Sequence, residues 1–444
     1  MTLFIPEPYQ QKAIDFAVER QNAGLLIDTG LGKTGMGLSI LTEWYDAVEI
    51  TQTLVLAPPL VAEHTWTNEI KKFHSSFGWM DPVKIIGTPK QREKAMLEPS
   101  LLHLCSYNNF RWLLKEWGDD WPWDCIVFDE LSRMKNPSSK RFKAFRHRRK
   151  RIKKVLGLGG TPAPNGYGDL WAQSYCIDNG RALGSSVVRY RERYFYSDFL
   201  GYKYTLKDDA KEEIDAKLKT FCISMEKEDY LTLPPVIRNM VSIELPPKAR
   251  KIYDELRTEL GTKLDTGVEI ETDHQGSVEN KLRQICNGFI YDDEKTAHII
   301  HDAKLQALES IVEEAAGEPV LVGYQFIPDK DAILKKFGKR ARLVDDDSDL
   351  IRQWEDGEIE ILIAYASAAA HGLNLQYGGH ILVWYGNTWD YETHYQFESR
   401  LYRRGQTKPV RIHNIVVEGA EARVTKALNS KEDLNKALKE ALKL

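Results

Sequence analysis

Residues 25–34 read Leu-Leu-Ile-Asp-Thr-Gly-Leu-Gly-Lys-Thr, and this stretch limits the fold more than any other part of the 444-residue chain. An apolar, strand-like run passes through a glycine turn straight into the start of a helix. A strand continued by a helix in this way is half of a crossover unit, the building block of parallel sheets. Glycines at Gly30 and Gly32 let backbone N–H groups close around an anion, and a helix N-terminus adds its dipole. Lys33 is spaced to reach the outer phosphates of a nucleotide, and the Thr34 hydroxyl to ligate Mg2+. The strict form of such a loop has a glycine five residues before Gly32, where this chain has Ile27.

The strand-and-helix rhythm continues beyond this loop. Short apolar runs at 54–57, 102–106, 125–128 and 155–158, then at 320–324, 361–365, 381–385 and 411–416, alternate with longer helical stretches. Several are unbroken rather than alternating, as in strands covered on both faces. The predicted fold is α/β, with parallel-sheet lobes over residues 1–177 and 301–444. Between them, residues 178–300 turn charged, helical and aromatic, with Pro234-Pro235 and Pro246-Pro247 as punctuation. That block is expected to hold helical protrusions and a linker. Near the end, Val424, Leu428, Leu434, Leu438 and Leu442 recur at helical spacing, which predicts a closing helix packed on the second lobe.

Composition narrows the setting. With 42% apolar and 28% charged residues the chain can bury ordinary cores. It has no apolar run of about 18 residues to span a membrane, and its start, MTLFIPEPYQ, lacks the features of a secretion signal. Five widely spaced cysteines form neither a disulfide framework nor a zinc pattern, so a reducing, cytoplasmic setting is expected. The net charge of −4 means that nucleic acid would have to meet a local basic patch. Residues 140–154, KRFKAFRHRRKRIKK, are such a patch, with Lys140, Arg141, Arg148 and Arg149 as candidate phosphate contacts. Trp112, Trp117, Trp121 and Trp123 are read as packing rather than as a base-stacking platform.

Two further elements carry chemistry. The run Cys125-Ile126-Val127-Phe128-Asp129-Glu130 is an apolar strand ending in two carboxylates. Nucleotide hydrolysis needs one carboxylate near Mg2+ and a second group to orient the attacking water, roles that suit Asp129 and Glu130. Arg400 and Arg403 stand at i and i+3, which on a helix would aim both the same way. Permanently charged guanidinium forks suit a transferring phosphoryl group.

In order along the chain these elements resemble superfamily-two helicases, and in detail the Swi/Snf-type branch of DNA translocases and remodellers. Pro8-Tyr9-Gln10 resembles the adenine-reading motif. Leu56-Ala57-Pro58 with Trp66 and Glu69, then Ser106-Tyr107, resemble the elements that follow. Asp129-Glu130-Leu131-Ser132 with Lys135-Asn136 resembles the acidic box, and Gly160-Thr161-Pro162 with Asn165 the coupling motif. In the second half the resemblance runs through Leu282–Asn287, Ala303-Lys304-Leu305, Gly372-Leu373-Asn374-Leu375 and Trp389. It is sharpest at Gln396–Gln406, which carries Gln-x-x-x-Arg-x-x-Arg-x-Gly-Gln, the sixth motif of the branch. Ser132 departs from the histidine that often closes the acidic box, and Ala370-His371 from a usual glycine pair.

The resemblance implies two RecA-like lobes holding ATP with Mg2+ between them. It adds Gln10, Gly372 and Gln396 to the ATP-binding set. It makes Gly160 and Thr161 coupling residues and Ser106, Ser367 and Trp389 DNA contacts. The implied activity is ATP-driven movement along double-stranded DNA. A strand-separating helicase, a non-catalytic ATP-bound clamp and a module serving a nuclease in trans are the alternatives. With motifs from residue 10 to residue 406, the expectation is a role in replication, recombination or repair in the cytoplasm of a bacterial or phage-infected cell. A nuclease or replication factor fits as its protein partner.

Overall fold

Two parallel sheets organise the computed structural model, which describes residues 2–443 except 119, 200–203, 265–267, 272–274, 345–347, 370–372 and 419–420. The first sheet contains β1 (Asn22–Ile27), β2 (Thr53–Ala57), β3 (Val83–Ile85), β4 (Leu102–Ser106), β5 (Cys125–Asp129), β6 (Lys154–Gly159) and β7 (Cys222–Met225). Their spatial order is β3-β4-β2-β5-β6-β1-β7, all parallel. The second contains β8 (Val236–Ile243), β9 (Val320–Tyr324), β10 (Ala341–Leu343), β11 (Ile361–Tyr365), β12 (Ile381–Trp384) and β13 (Val410–Val417), in the order β8-β13-β12-β9-β11-β10, also parallel.

The unbroken apolar runs follow from a strand's two-residue period. In β1, Ala23, Leu25 and Ile27 enter one core while Leu26 enters the core on the opposite face. Cys125 and Val127 of β5 join the former, Ile126 and Phe128 the latter. In the second sheet Ile361 and Ile363 of β11 point to one core, Leu362 and Ala364 to the other. Helices cover both faces, so neither set of side chains can be polar. All five cysteines are buried and unpaired.

The chain divides into one unit of Met1–Thr232 with Lys431–Leu444 and another of Leu233–Ser430. Residues 178–300 do not form a block of their own. They supply β7 to the first sheet, beside β1, and β8 to the second, beside β13. The closing helix runs over Ala422–Ala441. Its expected packing on the second lobe is corrected in its last turns: Leu438 and Leu442 are fully buried in a core of the first unit. Helical spacing shows that an apolar face exists, not which surface receives it. A short antiparallel hairpin, Phe195–Ser197 with Tyr204–Leu206, also belongs to the first unit. Tyr196 and Phe199 on it are exposed.

Candidate active site

The phosphate-loop candidate links β1 to α1 (Lys33–Asp46). Gly30 and Gly32 have φ of 92° and 87°, left-handed values that L side chains adopt with strain. At Gly32 a Cβ would also come to 2.5 Å from Gln10 Nε2. Lys33 bends back over the loop and its Nζ donates to the Ile27 carbonyl at 2.9 Å. Burial lowers the pKa of its ammonium, while Glu130, Asp129 and Asp28 act to raise it. Gln10 braces the loop from outside. Its Nε2 donates to the Leu31 carbonyl at 2.8 Å, and its Oε1 accepts the Glu7 N–H at 2.9 Å.

The acidic pair stands at the end of β5. Asp129 Oδ2 accepts the Trp66 indole N–H at 2.8 Å. Burial pushes the Asp129 carboxyl up, opposed by Trp66 and Lys33. Glu130 holds φ 72°, ψ 71°, a region uncommon for a non-glycine residue and costly to maintain. Its carbonyl accepts the Tyr107 hydroxyl at 3.1 Å, and its Oε1 accepts the Ser132 hydroxyl at 3.0 Å. Ser132, where the resemblance expects histidine, is thus a direct partner of the second carboxylate. Beyond β6 come Gly160 and Thr161, both buried.

Because β5, β6 and β1 are neighbours and parallel, their C-terminal ends share one edge. Lys33, Asp129, Glu130, Gly160 and Thr161 follow from those ends, the usual place for ligands in a parallel α/β sheet. The donor set fits a magnesium nucleotide. The buried hydroxyls of Thr29 and Thr161 lack a hydrogen-bond partner among the described residues, an ammonium lies across the loop, and a carboxylate stands beside it. Trp66 and Thr29 were legible only as letters of a motif; the bond to Asp129 gives Trp66 its role, and the buried, unsatisfied hydroxyl gives Thr29 its own.

In the second unit α2 (Tyr391–Glu398) ends before the sixth-motif arginines, so they do not project from one helix face as expected. The Gln396 carbonyl accepts the Arg400 side-chain Nε at 3.1 Å, and the chain turns at Gly405, φ 100°. Both forks nevertheless converge on one segment. Arg400 Nη1 donates to the Leu373 carbonyl at 2.9 Å, and Arg403 Nη1 to Asn374 Oδ1 at 2.6 Å. Burial pushes the Arg403 guanidinium down from its ordinary value. Gln396 is buried, with Nε2 3.4 Å from Glu392 Oε1. Gly372 lies outside the described residues.

The nucleic-acid candidates divide sharply. Arg149 is 4% exposed and donates to the carbonyls of Cys176 at 2.7 Å, Ile152 at 3.1 Å and Ile177, and to Asn22 Oδ1 at 3.0 Å. It pins loops together and is withdrawn as a phosphate contact. The signal was present: Phe142 and Phe145 are buried, and Arg149 lies one helical turn after Phe145 on the same face. Arg148 is half-buried, its Nη2 on the Leu114 carbonyl at 2.7 Å. Arg141 is also half-buried and donates to the Arg133 carbonyl at 3.3 Å. Lys140, Lys143, Lys150 and Arg151 are exposed. Ser106, a DNA contact by resemblance, is buried at the end of β4. Ser367 is exposed, and Trp389 packs beside Tyr391, Val424 and Leu428.

Comparison with known proteins agrees with this arrangement. The SNF2-related domain family matches residues 9–290. Protein p41 of Acyrthosiphon pisum secondary endosymbiont phage 1 is 34% identical, with 100% of both chains covered. An uncharacterized ATP-dependent helicase of Mycoplasma genitalium is 25% identical over 96% of this chain, which spans 42% of that protein's length. The Sulfolobus solfataricus SWI2/SNF2 ATPase core in complex with double-stranded DNA is 22% identical, covers 98% of this chain and 99% of its own, and has a TM-score of 0.46. A phosphate loop and an acidic pair at the C-terminal ends of β1 and β5, the two strands that flank β6, inside a family match covering more than half the chain, make this protein a member of the SNF2-related family and an ATP hydrolase built on two RecA-like lobes.

Proposed function

We propose that this chain hydrolyses ATP with Mg2+ to move along double-stranded DNA. The observation that carries the reading is the gathering of Lys33, Asp129, Glu130 and Thr161 at the C-terminal ends of three adjacent parallel strands. Lys33 neutralises the outer phosphates, and the Thr29 hydroxyl supplies a donor to them. Thr34 and Asp129 hold the cation, which when bound withdraws charge from the phosphoryl oxygens. Glu130, fixed by its backbone and by Ser132, orients the attacking water. On their resemblance to the sixth motif, Arg400 and Arg403 are assigned to the charge that develops on the transferring phosphoryl.

Membership of the family and the helicase relative support nucleic acid as the track. The exposed Lys140, Lys143, Lys150 and Arg151 suit phosphate contacts without base readout, as a motor indifferent to sequence requires. The test is the ATPase rate titrated with blunt duplex, single-stranded DNA and RNA. Duplex DNA should stimulate most; strongest stimulation by RNA would end the reading.

Strand separation is the second reading, and the hairpin with exposed Tyr196 and Phe199 favours it, because a projecting aromatic can wedge between bases. Unwinding of a fluorescent fork that is lost in Phe199→Ala would select this reading. Duplex stimulation without unwinding would select translocation. The setting proposed is the cytoplasm of a phage-infected bacterium, in keeping with the phage source of the 34% identical relative, and a nuclease or replication factor is proposed as partner. Capture of the chain from infected cells, with neither class recovered, would dismiss that partner.

A further inference from the structure

The end of the closing helix, here α3 (Ala422–Ala441), brings a second lysine to the phosphate loop. Several contacts fix its backbone in the first unit. Asn435 pairs with both sides of Ala163: its Oδ1 accepts the Ala163 N–H at 3.0 Å and its Nδ2 donates to the Ala163 carbonyl at 2.9 Å. Ser224 of β7 donates its N–H to the Leu442 carbonyl at 3.1 Å and its hydroxyl to the Lys439 carbonyl. Leu438 and Leu442 fill the core beneath.

So held, Lys439 forms an ion pair with Asp28, and the two side chains are only 6% and 4% exposed. Asp28 Oδ2 also accepts the Lys227 N–H at 3.3 Å. Asp28 opens the phosphate loop, directly after the Ile27 carbonyl on which Lys33 rests. Both members of the pair lie close enough to act on the Lys33 ammonium, in opposite senses.

We infer that Lys439 is a positioning residue of the nucleotide site: it neutralises the carboxylate of Asp28, so that the loop presents no buried anion to an incoming triphosphate. The inference rests on the reading of residues 27–34 as the ATP phosphate loop. Its logic is that of any buried ion pair. Removing one partner leaves an uncompensated charge, whereas removing both is often nearly neutral. A loop carboxylate deprived of its Lys439 cation would repel phosphates through a poorly screened interior.

The experiment uses the full chain and measures binding of a fluorescent ATP analogue together with KM and kcat. Lys439→Met should weaken binding and raise KM by about tenfold or more, with kcat changed by less than about threefold. The double variant Asp28→Asn/Lys439→Met should regain most of the lost affinity, and Lys439→Arg should retain it. Unchanged binding in Lys439→Met overturns the inference. So does a double variant as weak as the single one, because the loss would then come from helix docking rather than charge. Should Lys439→Met fail to fold, Asp28→Asn alone decides. It keeps the Lys227 contact and removes the anion, so it should bind ATP as tightly as the parent or more so, and weaker binding overturns the inference. Failure of the unmodified chain to bind the analogue would instead bring down the phosphate-loop reading itself.

Discussion

In the first unit the candidate catalytic groups follow directly on strand ends, and the backbone itself is bent to hold them. Gly30, Gly32 and Glu130 all have positive φ, and Lys33 is anchored on the carbonyl that closes β1. In the second unit Arg400 and Arg403 lie past the end of a helix, and their positions depend on side-chain bonds to Leu373 and Asn374. The first arrangement is rigid because a parallel sheet sets it. The second rests on side-chain hydrogen bonds, which can be exchanged without unpairing a strand. A pre-formed phosphate site calls for the first construction, and the role in a catalytic cycle proposed for the arginines suits the second.

The largest expected effect tests the rigid half. Lys33→Ala should lower ATP turnover by about 10³-fold or more while thermal melting stays near that of the parent. Turnover close to the parent's would remove the basis of the comparison. The arginines test the other half. Arg403→Ala, at a half-buried position, should lower kcat by about 10²–10³-fold with little change in Tm. Arg400→Ala should lower kcat and stability together, because the carbonyls of Gln396 and Leu373 lose their donor at about 1–3 kcal/mol for each buried group left unpaired. Equal Tm losses in both variants would show that the two arginines are held alike.

A smaller effect is set by pH and belongs to the second unit. Burial pushes the Asp329 carboxyl up to about 6 from 3.8, against the opposing pull of the Phe326 and Gln325 N–H groups, Lys304 and Asn287. The folded chain therefore keeps a proton that the unfolded chain gives up. This contribution is complete below pH about 4 and lost as pH rises through about 6, a fall of about 3 kcal/mol. Urea melts across that range should show the slope, and Asp329→Asn should flatten it. The smallest effect sharpens the description of the first unit. Ser132→Ala removes the donor to Glu130 Oε1 and should cut kcat about fivefold, in line with one hydrogen bond of about 1 kcal/mol. No change would show that the Ser132 hydroxyl does not position Glu130.

Every strand anticipated from an apolar run is present, and every one lies inside a sheet. Among the described residues, the four strands of the two parallel sheets that went unanticipated, Val83–Ile85, Cys222–Met225, Val236–Ile243 and Ala341–Leu343, are the four edges of those sheets. An interior strand is flanked by neighbours and covered on two faces, so its sequence must be apolar throughout. An edge strand carries no such demand: Ile237 and Met240 of β8 are exposed. The edge strand β7 is buried all the same, because the tail of the closing helix covers it through Ser224.

By itself the sequence determined the two parallel-sheet lobes, the glycine turn at Gly30–Gly32 and the acidic strand end at Asp129 and Glu130. Each depends on local period, backbone freedom or a short spacing, and local physics reads these directly. Only the tertiary structure decided which cations are buried, as with Arg149, that the arginines converge on Leu373 and Asn374 instead of sharing a helix face, and that Lys439 meets Asp28 from the far end of the chain. Those outcomes depend on which distant surfaces meet, and a charge or an apolar stripe carries the same letter whether it faces water or a buried partner.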